Sequence, residues 1–201
     1  MIRALLLVSA LAASTAAQTV CVRGRVERAS GISICAVRFT HRLQCPNLLL
    51  NSATVNLQSY EGQIVELCGT LSSLPPCRRL DVTSVNTTVD HLNLVGPVAY
   101  ALPRGGIAQF DLGITPARLW LLFYSDGRGF TDLGATGVLQ LGTRILYFAD
   151  GFLDGAGQSS FQAQVPNDPA LASVWLYFQP VFVDLATLQA ALGNADCFQI
   201  Q

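Results

Sequence analysis

Three aromatic side chains, Trp120, Trp175 and Tyr177, carry the strongest hint of binding chemistry. An outward-facing indole or phenol ring presents a flat apolar face and a polar edge, and such a platform stacks on sugars. Both tryptophans sit in strongly apolar stretches, so core packing is the competing reading. Groups for acid, base or nucleophilic work are sparse. There are two histidines, His41 and His91, and three glutamates, Glu27, Glu61 and Glu66, all in the first half. Glycoside hydrolysis requires paired carboxylates about 5 to 9.5 Å apart, a geometry that sequence spacing does not supply; solvated positions on a barrel are the plainer reading of the three glutamates. The chain contains no Gly-x-Ser-x-Gly elbow, no His-Glu-x-x-His and no phosphate-cradling glycine loop. No catalytic residue is assigned, no cofactor is expected, and a hydrolase stands only as a third reading.

Metal chemistry fares no better. His41 and Cys45 have an unspecific ligand spacing. The run Asp150-Gly151-Phe152-Leu153-Asp154-Gly155 is rich in oxygen donors, as calcium requires, but lacks the alternate-residue carboxylates of an EF-hand loop. Asp-Gly pairs also form turns without any ion, and no metal is expected. Asn86-Thr87-Thr88 is a glycosylation sequon, with meaning only in a eukaryotic secretory path.

The cysteines, Cys21, Cys35, Cys45, Cys68, Cys77 and Cys197, include no Cys-x-x-Cys pair. An even number in an exported chain reads as disulfides. Five of them precede residue 80 and one lies near the end. If all pair, Cys197 reaches back to the first half and clamps the two halves together. Export is the expectation from the N-terminus. Arg3 precedes an apolar run over residues 4–13, then small residues at Ser14, Thr15, Ala16 and Ala17. This is the layout of a cleavable secretory signal, giving a leader over 1–17 and a mature chain from Gln18. Cleavage after Ala16 is an alternative. Lipid attachment at Cys21 is a third option, which Val20 fits poorly. No stretch has the roughly 20 apolar residues of a spanning helix, so the expected chain is not transmembrane and is secreted, extracellular or periplasmic, or held at the cell surface.

Only 12% of residues are charged, about half the ~25% of ordinary globular domains. All twelve basic residues are arginine, a codon-bias trait of GC-rich genomes. Residues 18–95 hold seven arginines against five acids, and residues 96–201 hold four against eight. Neither half has the basic stripe that binds phosphate backbones, which argues against a nucleic-acid partner.

Short alternating segments must position these groups. Strands are expected at 20–27, 33–40, 51–57, 63–71 and 79–85, with a proline turn at Ser73-Leu74-Pro75-Pro76. Gly96-Pro97 marks a boundary. Further strands are expected at 107–112, 117–124, 137–141, 143–148, 160–165 and 171–183, separated by Gly- and Asp-rich turns. Residues 117–124 are apolar on both faces, as in a central strand. Residues 184–192 read either as a short helix capped by Asp184 or as a loop plus edge strand.

Two resemblances follow from local runs. Residues 56–67 (Asn-Leu-Gln-Ser-Tyr-Glu-Gly-Gln-Ile-Val-Glu-Leu), then Gly69, then Leu80-Asp81-Val82, resemble the fourth and fifth strands of small OB-like barrels. That implies a five-stranded barrel of a kind whose face binds oligomers in many relatives. The run Gln164-Val165-Pro166-Asn167-Asp168-Pro169-Ala170-Leu171, then Leu176-Tyr177-Phe178-Gln179 and Asp184, then Leu192-Gly193-Asn194-Ala195, resembles the closing segment of a β module frequent in uncharacterised secreted proteins of GC-rich bacteria. Ala172-Ser173 stands where those modules carry glycine, and Gly193 where they carry serine. This resemblance implies a secreted β-sandwich and no catalytic residues.

The sequence therefore predicts an all-β protein: a small OB-like barrel or irregular disulfide-bearing β domain over 18–95, then a jelly-roll or Ig-like β-sandwich over 96–201. The leading function is a non-enzymatic exported protein that binds an extracellular or envelope polymer such as a glycan, or a surface protein. The second is a structural surface protein that self-associates, since low charge and apolar strands invite edge pairing.

Overall fold

The computed structural model describes residues 19–32, 38–74, 77–87, 91–95, 100–113, 115 and 118–201. The leader, Cys35, Pro75-Pro76, Thr88 and Gly96-Pro97 lie outside them. Among the described residues the chain is all-β, and its only helical elements are three single 3-10 turns.

The first five strands are β1 (Thr19–Ile32), β2 (Arg38–Leu43), β3 (Leu48–Asn51), β4 (Ile64–Leu74) and β5 (Cys77–Asn86). They close a barrel in the order β1-β2-β3-β5-β4. Strand alternation decides which side chains enter it: Val20, Val22 and Val26 from β1, Leu48 and Leu50 from β3, Val65 and Leu67 from β4, Leu80 and Val82 from β5, all buried. β3 runs parallel to β5 while β1 runs antiparallel to β4, so the barrel is OB-like in its closure. A bulge in β4 depends on Gly69, where an added Cβ would lie 2.1 Å from the Asp81 carbonyl oxygen. Cys21 and Cys68 are register partners on the outside of β1 and β4 and are joined by a disulfide. Cys77 is also disulfide-bonded.

The remaining strands are β6 (His91–Val95), β7 (Ala101–Leu102), β8 (Ile107–Gly113), β9 (Leu119–Ser125), β10 (Arg128–Asp132), β11 (Val138–Leu141), β12 (Leu146–Phe152), β13 (Gln158–Gln164), β14 (Trp175–Asp184), β15 (Gln189–Leu192) and β16 (Asp196–Ile200). A three-stranded sheet, β13-β8-β6, faces a six-stranded sheet, β12-β9-β14-β16-β7, to which β15 adds alongside β14. Leu92, Phe110 and Leu112 from the smaller sheet meet Leu122, Phe178, Phe182 and Ile200 from the larger. Pro180 lacks an N–H and falls where β14 changes partner from β16 to β15, so no ladder donor is missed.

The β10–β11 hairpin joins the two parts. It pairs with neither sheet, yet Val138 enters the barrel core and Phe130 packs against it. Gln179, buried on β14, accepts from the Gln140 N–H (2.8 Å) and donates to the carbonyls of Val138 and Gly193 (2.9 Å each). The Gln140 side chain in turn donates to the Arg23 carbonyl on β1. A disulfide, Cys45–Cys197, ties the β2–β3 turn to β16 across 152 residues of sequence. Asp196 sits beside it.

Several expected boundaries shift for identifiable reasons. Residues 52–56 are a loop, not strand, because Ser52 Oγ accepts from the N–H groups of Thr54 and Val55 and Asn56 caps the turn Leu57–Tyr60. β14 starts at Trp175 because Asp168 caps a turn at Pro169–Leu171 and Ser173 takes a positive φ. For residues 184–192 the loop-plus-strand alternative holds: Asp184 Oδ1 accepts from Ala186 and Thr187, and β15 follows. β6, which precedes the break expected at residue 96, pairs with β8, Leu92 and Leu94 lying opposite Leu112 and Phe110.

Candidate functional site

β14 lies in the middle of the larger sheet and has two covered faces. Leu176, Phe178 and Phe182 face the sandwich interior. Trp175, Tyr177 and Gln179 face the other way, toward the barrel and hairpin. On that outward face the rings of Trp175 and Tyr177 stack with centroids 6.3 Å apart and planes inclined by 26°. They form one wall of a cleft of about 490 Å³. The opposite wall is the barrel: Arg42 from β2, with Gln44 and Asn47 from the β2–β3 turn. Asp126, Gly127, Arg128 and Cys197 complete the lining.

Each polar group is held by its own local chemistry. Arg42 donates to Gln44 Oε1 (2.6 Å) and to Glu27 Oε2 (3.3 Å), which fixes its guanidinium across the β1–β2 ladder. Asn47 has φ +49° and its N–H bonds the Gln44 carbonyl, a tight turn that an amide side chain tolerates. Ser125 Oγ donates to the Gly127 carbonyl and accepts from the Gly127 N–H, setting the path of the chain into β10. Tyr177 is buried, while Trp175 is half-buried and packs against it at the cleft. A flat ring surrounded by guanidinium, amide and carboxylate groups can grip a polyhydroxylated ring by stacking and peripheral hydrogen bonds.

Trp120 has a different fate. It is 4% exposed. Its ring lies parallel to Phe161 (5.3 Å), which lies parallel to Phe110 (4.8 Å), and it covers Gly151, where a Cβ would meet its Cζ2 at 2.7 Å. Its burial does not fit the candidate ligand role read from its type: Trp120 is a sandwich core residue on the inner face of β9, the strand next to β14 but on the opposite face of the sheet from the Trp175 wall.

A second polar cluster lies on the other side of the Cys45–Cys197 bridge and gave no signal in the sequence. Asp196 is 6% exposed. Its Oδ2 accepts from the Leu94 N–H and its Oδ1 from the Cys197 N–H, both at 2.9 Å. Burial pushes its pKa up to about 6, against the pull of those two N–H groups and of Arg25, with Glu27 adding to the rise. Nearby, the Tyr100 hydroxyl donates to Glu27, and Arg25 donates to Asn93 and to the Gly62 carbonyl. Burial and the Glu27 carboxylate push the Tyr100 phenol up. Arg25, Tyr100 and Asp196 edge a cavity of about 230 Å³. Both Asp196 oxygens accept backbone N–H groups, which ties β16 to β6 within the sandwich, while Glu27 on the barrel takes Arg42 from β2 and Tyr100 from the segment ahead of β7, and so braces barrel to sandwich.

The remaining polar candidates are likewise committed. His41 Nε2 lies 3.1 Å from Glu61 Oε1 and its Nδ1 lies 2.9 Å from Thr40 Oγ1. Glu66 pairs with Arg23 at 2.9 Å. Cys45 is oxidised and has no thiolate to give a metal. Asp154 Oδ1 accepts from the N–H groups of Ala156 and Gln158, a turn-forming role, while Asp150 takes the Tyr147 hydroxyl. Comparison with known proteins gives no match, either to a protein-family model or to a curated sequence.

Proposed function

We propose that this chain is an exported, non-catalytic binding protein that holds an extracellular or envelope polymer, such as a glycan, in the cleft walled by Trp175 and Tyr177. The observation that carries the reading is the stacked aromatic pair on the outward face of β14, opposite Arg42, Gln44 and Asn47. Export is supported by the leader-like N-terminus and by disulfides, which persist in oxidising compartments. Among the described residues no helix is long and apolar enough to cross a membrane.

The second reading, a self-associating surface protein, is favoured by one feature. β12 is an edge strand of the larger sheet, and its Leu146, Tyr147 and Phe152 are 49%, 55% and 61% exposed. One experiment separates the two. Tryptophan fluorescence of the purified mature protein is titrated with a panel of soluble polysaccharides, alongside size-exclusion chromatography. A saturable change that Trp175→Ala abolishes, with the fold intact, is the expected outcome. A flat panel together with elution as a discrete oligomer transfers the assignment to self-association through β12.

A further inference from the structure

The inner face of the smaller sheet changes size abruptly along its length. Phe110 on β8 and Phe161 on β13 are register partners and fill the space to the larger sheet with stacked rings. One step along the same face, the partners are Ala108 and Ala163. β6 contributes little here: it pairs alongside β8 only as far as Val95 opposite Gln109. The larger sheet makes no compensating move. It presents Phe148, Phe178 and Phe198 across from the alanine pair. The result is a cavity of about 290 Å³ between the sheets. Among its lining side chains only Gln164 and Tyr124 carry a polar group.

Protein interiors are close-packed and rarely leave a space of this size. A carbon-lined cavity of roughly 150 Å³ already takes up benzene, so this one has room for about twice that volume. Water finds almost no partners in such a lining. The chain around the mouth is polar: Asn167 and Asp168 directly follow Val165 and Pro166, which line the cavity, and both are exposed. A hydrocarbon interior under a polar mouth matches an amphiphile whose chain is buried and whose head stays in water.

We infer that the sandwich is a second binding site, in which the Ala108–Ala163 pair creates a slot for the acyl chain of a single-chain amphiphile. This site is separate in residues and in chemistry from the Trp175 cleft. Phe110, which lines the slot, stacks on Phe161, and Phe161 stacks on the Trp120 indole. Trp175 sits on the opposite face of the larger sheet.

The test uses the mature, oxidised protein and decanoate below its aggregation concentration. Alanine-methyl NMR reads the site directly: the Ala108 and Ala163 methyl resonances shift saturably with decanoate. In competition against the fluorescent probe 1-anilinonaphthalene-8-sulfonate, Ala163→Phe, which fills the slot, weakens decanoate binding at least tenfold. Trp175→Ala leaves it unchanged. The proposal is overturned if the two methyl resonances stay fixed, if Ala163→Phe binds as tightly as the parent, or if Trp175→Ala removes the binding. Should Ala163→Phe fail to fold, the NMR result on the unsubstituted chain decides alone.

Discussion

The barrel and the sandwich solve the problem of burying a sheet in opposite ways. The barrel closes on itself, has no free edge, and fills its interior with Val and Leu side chains. The sandwich stays open at β12 and β13 and fills its interior with aromatic rings. Val and Leu side chains form the barrel core, and the residues the barrel brings to the proposed cleft come from its outer surface and turns: Arg42, Gln44 and Asn47. The open sandwich offers both an outer face at Trp175 and an interior that is not filled where Ala108 meets Ala163. The proposed Trp175 cleft lies where the closed unit stops covering the open one, along the seam made by the hairpin and the Cys45–Cys197 bridge, whereas the proposed slot lies away from it, between the two sheets.

The largest test of that seam is its disulfide. A loop of 152 residues corresponds to about 5 kcal/mol in the chain-entropy account of disulfide stabilisation. Replacing both partners, Cys45→Ser with Cys197→Ser, is expected to lower stability by several kcal/mol in urea unfolding. The shape of the curve matters as much as its midpoint. One shifted transition means that the Gln140–Gln179 network and Val138 still couple barrel to sandwich. Two transitions mean that the bridge alone makes them one unit, and the contrast between a closed and an open half becomes one between independent domains.

The seam also marks where the sequence stops being legible. Alternation over 63–71 and 79–85 reports β4 and β5, because a barrel wall has one dry face and one wet face. Cysteine parity sends Cys197 back to the first half, and the structure joins it to Cys45. The two faces of β9 and β14 cannot be told apart by alternation, since the smaller sheet covers one and the barrel and hairpin cover most of the other. Trp120 and Trp175 therefore look alike in sequence and differ in place. The facing residues Arg42 and Asn47 belong to a distant segment, and no local pattern connects them to Trp175. Asp196 is hidden for the same reason: its burial comes from β6 and the β2–β3 turn, not from its neighbours on β16.

Within the sandwich, Trp120→Ala gives the next largest effect. The indole is the end of a stack of three rings and covers Gly151. Truncating a buried aromatic costs about 3–5 kcal/mol. Thermal unfolding should show that loss, with polysaccharide binding retained in whatever protein remains folded. Trp175→Ala should give the reverse pattern: a small change in stability and no binding. If Trp120→Ala leaves stability intact while abolishing binding, the assignment of inner and outer faces to β9 is wrong.

The smallest of these effects is also the one that reads the seam through protons. Asp196 has a folded pKa of about 6 against an ordinary 3.8, chiefly through burial. A raised folded pKa means that the folded state holds this proton more tightly than the unfolded chain does. Its stabilising contribution is complete below about pH 3.8 and is lost as pH rises through about 6. The full span is about 3 kcal/mol, working against the usual acid destabilisation from carboxylates held ionised by partners. The protonated carboxyl also has somewhere to point, since Cys45 Sγ lies 3.7 Å from Oδ1 and a disulfide sulfur can only accept. Asp196→Asn removes the titration, so the difference in unfolding free energy between parent and variant should change with pH between about 4 and 6 and be constant above 7. A difference that is flat across that window would mean that the Asp196 carboxylate is solvated, and the barrel and sandwich would then meet across water at this point and not across a dry seam.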